Sequence, residues 1–216
     1  MCRVTTRIAL ATCEQLPDLD PDDQPLINLF RKIGIEAAPA IWSDSSIDWT
    51  LFDQIIIRNT WDYTNRLGEF LAWAKSNKSR IRNSFETIRW NCDKIYLKDL
   101  ASAGFPVVDT QFVSGGDSGW DPPNTADFVV KPTVSAGSQD TMRFPADRPG
   151  SKRNAQDLIN RIVSHGKTAM VQPYLAAVDE VGETAQLFIG GDYSHAVRKG
   201  PLLAPNVLAD KEHGLF

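Results

Sequence analysis

The sequence has 216 residues, of which 42% are hydrophobic and 23% are charged. This composition is that of a globular protein, and it excludes a disordered chain, a collagen-like fibre and a coiled coil. The 23 Lys and Arg residues against 27 Asp and Glu residues give a net charge of −4, which does not favour nucleic-acid binding. No apolar run approaches the roughly 18 residues of a membrane span, and three cysteines fit a cytoplasmic protein better than a disulfide framework.

The first part of the chain alternates predicted strands with predicted helices. Three apolar runs read as strands, at residues 7–11, 35–42 and 54–57. The last of them is a continuous β-branched run, which is typical of a parallel strand covered on both faces. Pro25 begins one amphipathic helix that Gly34 ends, and a second helix covers residues 67–75. This order predicts a doubly wound, Rossmann-like α/β domain.

The rest of the chain changes pattern. Asn91 is a candidate cap for a helix over residues 92–103, and Asn154 begins a later amphipathic helix. Strands are expected at residues 107–113, 128–131, 141–144, 168–172, 184–189 and 193–198. Gly190 and Gly191 join the last two of these strands as a tight hairpin. We therefore predict three domains, at residues 1–87, 88–167 and 168–216.

Two lysines lie where a phosphate could bind. Lys131 ends an apolar strand and precedes a loop of small residues, Ser135, Ala136, Gly137 and Ser138. Such a loop can wrap its backbone N–H groups around phosphate oxygens, and the lysine adds a point charge. Lys94 would lie in the first turn of the helix predicted after Asn91, where an anion is favoured. Each feature alone also fits an ordinary surface lysine beside a loop.

Two further groups could contact a ligand. After the strand at 168–172, Pro173 leaves exposed backbone that could pair with a base edge, and carboxylates that follow could accept from a ribose hydroxyl. Another group follows the buried strand at 54–57, at the carboxyl end where open α/β sheets bind ligands. Its members are Arg58, Trp61, Asp62 and Tyr63. They could hold a small amino-acid-like molecule, or they could be a packed Trp with a surface Arg.

In this order the features resemble the ATP-grasp superfamily, specifically its glutathione-synthetase-like and ribosomal-S6-modification-like carboxylate–amine ligases. The resemblance extends over essentially the whole chain and implies a pre-ATP-grasp domain, an ATP-binding first lobe and an incomplete second lobe. It implies that two distant lysines converge on one triphosphate. The residues that it assigns to ATP are Lys94, Lys131, Ser135, Ala136, Gly137, Ser138, Gln172, Tyr174, Leu175 and Glu183. It also implies that Arg198 or Lys199 meets phosphate or the substrate carboxylate during catalysis.

Three segments narrow the resemblance. Residues 8–14, 58–63 and 195–201 look like the branch that contains the ATP-dependent cyclo-ligase of cycloserine biosynthesis, which closes O-ureido-D-serine into a ring. This likeness implies the chemistry and not the substrate. We hypothesise that Arg58, Trp61, Asp62 and Tyr63 line the substrate site.

Magnesium ligands are a departure from the superfamily pattern. Members of the superfamily carry them near the end of the second lobe, which the resemblance places beyond residue 216. Asp210 and Glu212 lie in a tail without a recognisable pattern. We therefore expect no metal ligand within this chain, and a second lobe that is truncated or degenerate, with apolar strands left unburied.

The leading hypothesis is an ATP-dependent carboxylate–amine ligase or cyclo-ligase that works through an acyl phosphate. ATP and Mg²⁺ are the expected cofactors, a small amino-acid-like molecule is the expected substrate, and a homodimer is the expected assembly. The alternative is a catalytically inactive remnant that binds a nucleotide or metabolite. An NAD-linked Rossmann protein is disfavoured because the first strand lacks a glycine fingerprint.

Overall fold

The computed structural model describes residues 5–117, 119–123, 127–201 and 203, so Asp210 and Glu212 lie outside the described residues. The chain divides into two compact units, the first ending at Tyr96 and the second beginning at Leu97. The three-domain division of the sequence stays a prediction. In the described part of the chain, every helix is too short or too polar to cross a bilayer.

The first unit is built on a four-stranded sheet in which all neighbouring strands are parallel. Its strands are β1 (Arg7–Thr12), β2 (Glu36–Ile41), β3 (Gln54–Asn59) and β4 (Ile81–Arg82). They lie in the order β2–β1–β3–β4, so β1 and β3 are the two inner strands. The carboxyl ends of all four strands therefore meet at one edge of the sheet.

Helices and turns cover both faces of this sheet. The helices of the unit are α1 (Pro25–Lys32), α2 (Leu67–Ser76) and α3 (Phe85–Asn91). Because successive strand residues point to opposite faces, Ile8 and Leu10 pack into one hydrophobic core while Ala9 and Ala11 pack into another. The prediction of a doubly wound α/β unit is confirmed.

The second unit contains a four-stranded antiparallel sheet with a helix on one face. Its strands are β5 (Gln111–Val113), β6 (Asp127–Pro132), β7 (Met142–Pro145) and β8 (Ala169–Pro173), in the order β5–β8–β6–β7. The helix α4 (Tyr96–Ser102) precedes β5 in the chain, and the helix α5 (Ser151–Ser164) lies between β7 and β8. Strand β5 is shorter than predicted because its pairing with β8 begins only at Gln111.

The alternation of side chains along β6 and β8 gives the sheet two different faces. Phe128, Val130 and Val171 share a buried core with the apolar side of α5. The intervening residues point to the opposite face, which we call the open face; on β6 and β8 its members are Val129, Lys131, Met170 and Gln172. Two residues predicted to bind ATP, Lys131 and Gln172, therefore lie on the same face of one sheet.

A hairpin follows this sheet after a short helix, α6 (Ala177–Val181), that the sequence did not predict. Strands β9 (Glu183–Ile189) and β10 (Asp192–Lys199) are joined at Gly190 and Gly191, whose φ angles of 65° and 96° suit a tight hairpin. Among the described residues, β9 and β10 pair only with each other. The large apolar side chains exposed on them are Leu187, Phe188, Ile189, Tyr193 and Val197.

Candidate functional site

Arg58 has an intramolecular partner at the carboxyl end of β3. Its guanidinium forms an ion pair with Asp23, a buried residue that precedes α1. The other carboxylate oxygen of Asp23 accepts a hydrogen bond of 2.9 Å from Asn59 Nδ2. Because a carboxylate already neutralises this arginine, a substrate carboxylate would have to share its guanidinium. Its role in substrate binding stays a prediction.

The other three residues of that cluster lie in a 3-10 turn, Trp61–Asn65, directly after β3. The Asp62 carboxylate accepts a hydrogen bond of 2.7 Å from the indole Nε1 of Trp42. Tyr63 packs against Phe70 with ring centres 5.2 Å apart, and burial above all raises its pKa to about 12. Asp62 therefore presents a charge at the sheet edge, whereas Tyr63 belongs to the margin of the core.

Sequence reasoning missed the charged neighbours of Asp62. The Arg66 guanidinium lies 5.0 Å from the Trp42 ring centre and donates to Glu69 at 2.6 Å. That hydrogen bond is the first cause of the raised pKa of Arg66, to which Asp62 and Glu14 also contribute. Arg66 follows the 3-10 turn and Glu14 follows β1, so a comparison of strand ends could have found both.

Lys94 lies between two helices and not in the first turn of one. The prediction of a helix over residues 92–103 is wrong at its start, because α3 continues to Asn91 and α4 begins only at Tyr96. The side chain of Asp93 stabilises the turn between them by accepting from Ile95 N at 3.0 Å. Lys94 belongs to the first unit and Lys131 to the second, so their convergence on one triphosphate stays a prediction.

Lys131 is a mostly buried lysine on the open face. Burial lowers its pKa, and Glu183 opposes that shift to a smaller extent. Its ammonium forms no hydrogen bond or ion pair with any other described residue. A lysine that is desolvated without a fixed partner is suited to receive an anionic ligand, because such a ligand would supply the missing countercharge.

The loop after β6 is compact and bends sharply. Ser135 Oγ donates to the carbonyl of Pro132 at 3.3 Å, and Gln139 N donates to the carbonyl of Ala136 at 3.2 Å. Gly137 and Ser138 both have left-handed φ angles, 58° and 57°. Consecutive residues in turn conformations aim backbone N–H groups in new directions, which is how a loop can form an anion-binding concavity.

Tyr174, one of the residues predicted to bind ATP, belongs to a charged network at the end of β8. Tyr174 OH donates to Asp179 at 2.5 Å, and the Arg143 guanidinium lies 3.7 Å from the Tyr174 ring centre. Arg143 also forms ion pairs with Asp127 and Asp179. Leu175 is 52% exposed directly after this network. The segment that would face a base is therefore fixed to the sheet by charged contacts.

Glu183, Arg198 and Lys199 lie at the open end of the hairpin. Lys199 pairs with Glu183 and Arg198 pairs with Thr184 in the register of β9 and β10. All three are exposed, and Glu183 is close enough to Lys131 to act on its pKa. This end of the hairpin thus belongs to the same charged region as Lys131.

ATP phosphates and Mg²⁺ require different groups from the protein. Lys131 and the loop after it have the chemistry that phosphate oxygens require, as argued above. Among residues 5–117, 119–123, 127–201 and 203, no group of three or more His, Cys, Asp or Glu side chains could hold a metal ion. The expectation that magnesium ligands lie beyond residue 216 stays a prediction.

Comparisons with known proteins agree on one family. Residues 8–83 match the family described as the N-terminal domain of the D-cycloserine synthetase DcsG. The cycloserine biosynthesis protein DcsG of Streptomyces lavendulae is 35% identical over 211 residues, which cover 92% of this chain and 69% of that protein. The crystal structure of D-cycloserine synthetase DcsG superposes with a TM-score of 0.82 at 33% identity, again over 92% of this chain and 69% of the other.

A more distant structure supports the fold alone. The RimK domain ATP-grasp protein from Sphaerobacter thermophilus has a TM-score of 0.54 at 17% identity, over 79% of this chain and 64% of its own. The predicted fold class, a mixed α/β ATP-grasp structure, is therefore confirmed. The resemblance to the cycloserine branch of the superfamily is confirmed as well.

Proposed function

Because this chain belongs to the DcsG family of ATP-grasp ligases, we propose that it binds ATP and takes part in an ATP-dependent ligase reaction on a small amino-acid-like substrate. The observation that carries the proposal is Lys131, a mostly buried lysine on the open face without a fixed partner among the described residues. Keeping an ammonium group there lowers stability unless a ligand compensates for it. A nucleotide phosphate would do so.

The proposed reaction has two steps. An oxygen of the substrate carboxylate attacks the γ-phosphorus of ATP, the bond to the β-γ bridging oxygen breaks, and ADP leaves. The resulting acyl phosphate is attacked at its carbon by a nitrogen nucleophile, which loses a proton while inorganic phosphate departs. Because little covalent chemistry falls to the protein, its residues act mainly by positioning and by neutralising charge.

Residues of the second unit would serve the nucleotide. Lys131 would neutralise phosphate charge, and the turns around Gly137 would present backbone N–H groups to phosphate oxygens. Arg198 and Lys199 would meet the transferred phosphoryl group or the substrate carboxylate. Magnesium, when bound, would supply positive charge that neutralises the phosphates.

Residues of the first unit would serve the substrate. Asp62 can accept from a substrate ammonium group with the oxygen that Trp42 leaves free. Arg58 can share its guanidinium between Asp23 and a substrate carboxylate, since its side chain is 41% exposed. An amino acid needs both charges recognised, and the carboxyl edge of a parallel sheet is where such ligands bind.

The test compares Lys131→Met with Lys152→Met in the full chain. Lys152 is a solvent-exposed lysine of the same unit that pairs with Asp121 at 2.9 Å, so its variant controls for the loss of one positive charge. We expect Lys131→Met to weaken ATP binding in calorimetry by roughly 10- to 100-fold, the value of a hydrogen bond to a charged group, and Lys152→Met to leave it unchanged. Equal affinity in both variants would contradict the proposal.

Turnover separates the ligase from the inactive alternative. ADP and phosphate release should be measured with ATP, Mg²⁺ and a mixture of small amino acids. Release that depends on an amino acid supports the ligase, whereas ATP binding without any release supports a nucleotide-binding protein that has lost catalysis. A folded chain that does not bind ATP would eliminate both.

A further inference from the structure

The side-chain amide of Gln172 is held in one orientation by Thr110. Gln172 lies on β8 and is only 6% exposed, and its Nε2 donates a hydrogen bond of 2.7 Å to Thr110 Oγ1. The Thr110 hydroxyl in turn donates to the carbonyl of Val108 at 2.7 Å. A hydroxyl has one hydrogen, and a carbonyl can only accept. Thr110 must therefore accept from Gln172, and the amide must turn its NH₂ group toward it.

This orientation leaves the amide oxygen of Gln172 available. Gln172 Oε1 has no hydrogen-bond partner among the described residues. Oε1 is also accessible, because the buried side-chain atoms without a hydrogen-bond partner in the described part of the chain are Trp73 Nε1 and Ser151 Oγ. The carbonyl oxygen is thus a fixed acceptor at the margin of an otherwise buried side chain. If the amide were reversed, Gln172 Oε1 would face Thr110 Oγ1. Either two acceptors would then meet, or the Thr110 hydroxyl would donate to Oε1 and lose its hydrogen bond to Val108.

The position of this acceptor suits a nucleobase. Gln172 pairs with Val129 on β6, and Lys131 pairs with Met170, so the two polar residues are diagonal neighbours on the open face. A nucleotide whose phosphates meet Lys131 would lay its base along the same face, toward the end of β8. There the outward oxygen of Gln172 would meet the edge of the base.

We propose that Thr110 sets the preference for adenine by orienting Gln172, an inference that rests on the proposed function. The 6-amino group of adenine is a donor and can give a hydrogen bond to Oε1. Guanine carries a 6-oxo group at the same place, which is an acceptor and opposes Oε1. A site with a fixed polar group discriminates strongly against a ligand that leaves that group unpaired. Thr110 touches no ligand itself and acts as a positioning residue.

The test compares Thr110→Val with Thr110→Ser in the full chain. Valine has nearly the shape of threonine but lacks the hydroxyl, so the amide becomes free to turn its NH₂ group outward. Serine keeps the hydroxyl and is the matched control. Dissociation constants for ATP and GTP are measured by calorimetry for each variant, and thermal unfolding checks that each variant is folded.

We expect the wild type and Thr110→Ser to prefer ATP over GTP by roughly tenfold or more, the effect of one hydrogen bond. In Thr110→Val the ratio should fall toward one, with weaker ATP binding and stronger GTP binding. An unchanged ratio in Thr110→Val overturns the inference, and so does an equal weakening of both nucleotides, which would indicate a structural role only.

A second variant guards against misfolding of Thr110→Val. Gln172→Met removes the acceptor but keeps the length of the side chain, and it should likewise reduce the ATP to GTP ratio toward one. A ratio that stays at the wild-type value in Gln172→Met also overturns the inference. A folded wild-type chain that binds no ATP removes the proposed function and this inference with it, whereas binding with an unaltered ratio in the variants removes this inference alone.

Discussion

Trp42 donates its indole hydrogen to Asp62 across 2.7 Å, although the two residues belong to different segments of the chain. Trp42 directly follows β2 and is 3% exposed, while Asp62 lies in the turn after β3. The hydrogen bond therefore joins the carboxyl ends of two strands that are not adjacent in the sheet, because β1 lies between them. It fixes a carboxylate at the edge where we propose that substrate binds.

A neighbouring tryptophan offers a matched comparison for this bond. Trp73 packs on the same Phe70 ring as Trp42, with centroid distances of 5.5 and 5.3 Å, but its buried Nε1 has no partner among the described residues. Replacement by Phe removes the indole N–H group and part of the ring in each case. We expect Trp42→Phe to lose about 2 kcal/mol more unfolding free energy than Trp73→Phe, because only Trp42 gives up a hydrogen bond to a charged group.

Urea unfolding followed by circular dichroism measures this difference. Trp42→Phe should also weaken the binding of small amino acids, used as zwitterionic probes, since Asp62 loses its orientation. Equal destabilisation of the two variants would contradict the stability prediction. Unchanged probe affinity in Trp42→Phe would contradict the placement of Asp62 in the substrate site.

The charged, mostly buried side chain of Lys131 should lower the free energy of unfolding of the ligand-free protein. Its folded-state pKa is lowered by burial, so the folded protein binds the proton more weakly than the unfolded chain does. Stability then rises as the pH increases through the interval between the two pKa values. We expect Lys131→Met to unfold at a higher temperature than the wild type at about pH 7, and the gap to narrow toward about pH 10 as the wild-type lysine loses its proton.

Differential scanning calorimetry across this pH range checks the prediction, with Lys152→Met as the exposed control. A Lys131→Met variant that is less stable than the wild type at neutral pH would mean that the ammonium group has a stabilising partner. In that case the lysine would be structural, and the argument for a nucleotide phosphate beside it would fail.

Short sequence patterns were sufficient to predict the helices, strands and turns that neighbouring residues determine. Pro25 begins α1 as predicted, and the β-branched run at 54–57 is an inner parallel strand because both faces of the sheet are covered. The pair Gly190 and Gly191 specified the hairpin, since both positions need positive φ. Lys131 was also placed correctly at the end of a strand, because the apolar run before it is a local signal for β6.

Features that depend on distant residues could not be predicted in this way. Asp23 and Arg58 are 35 positions apart, and only the fold shows that the arginine is paired. The helix predicted after Asn91 was wrong because Ser84, which accepts from Thr87 N at 3.2 Å, starts a helix earlier and Asn91 ends it. The Thr110–Gln172 bond spans 62 positions and needs the pairing of β5 with β8.

The contact between Tyr174 and Asp179 predicts a response to acid. The hydrogen bond from Tyr174 is the first cause of the lowered pKa of Asp179, and the Arg143 guanidinium lowers it further. A carboxyl group with a lowered folded-state pKa stabilises the protein above its unfolded pKa and loses that contribution as the pH falls through the folded pKa. Tyr174→Phe should therefore be less stable than the wild type at about pH 7, with the difference closing toward about pH 3.

Tyr193→Phe is the control for this experiment. Tyr193 is 60% exposed and its hydroxyl has no hydrogen-bond partner among the described residues, so its loss should change the urea midpoint little at either pH. If Tyr174→Phe shows the same deficit at both pH values, the hydroxyl contributes through packing and not through the charge of Asp179.

The last prediction concerns Gly182, which begins the hairpin that carries Arg198 and Lys199. Its φ is +74°, and a Cβ added there would collide with the backbone carbonyl oxygen of Lys199. Gly190, at the other end of the hairpin, has a similar φ of +65° but open space around the position of its Cβ. An alanine at either position must adopt a positive φ, which costs roughly 1 kcal/mol or more, and Gly182→Ala adds a backbone collision and a ψ of −174° that only glycine adopts readily. We expect Gly182→Ala to be the less stable by about 1–3 kcal/mol in urea unfolding, and to weaken ATP binding because Glu183 and Lys199 lose their register. Equal stability of the two variants would show that the backbone moves aside at no cost, and the position of Glu183 near Lys131 would then not depend on Gly182.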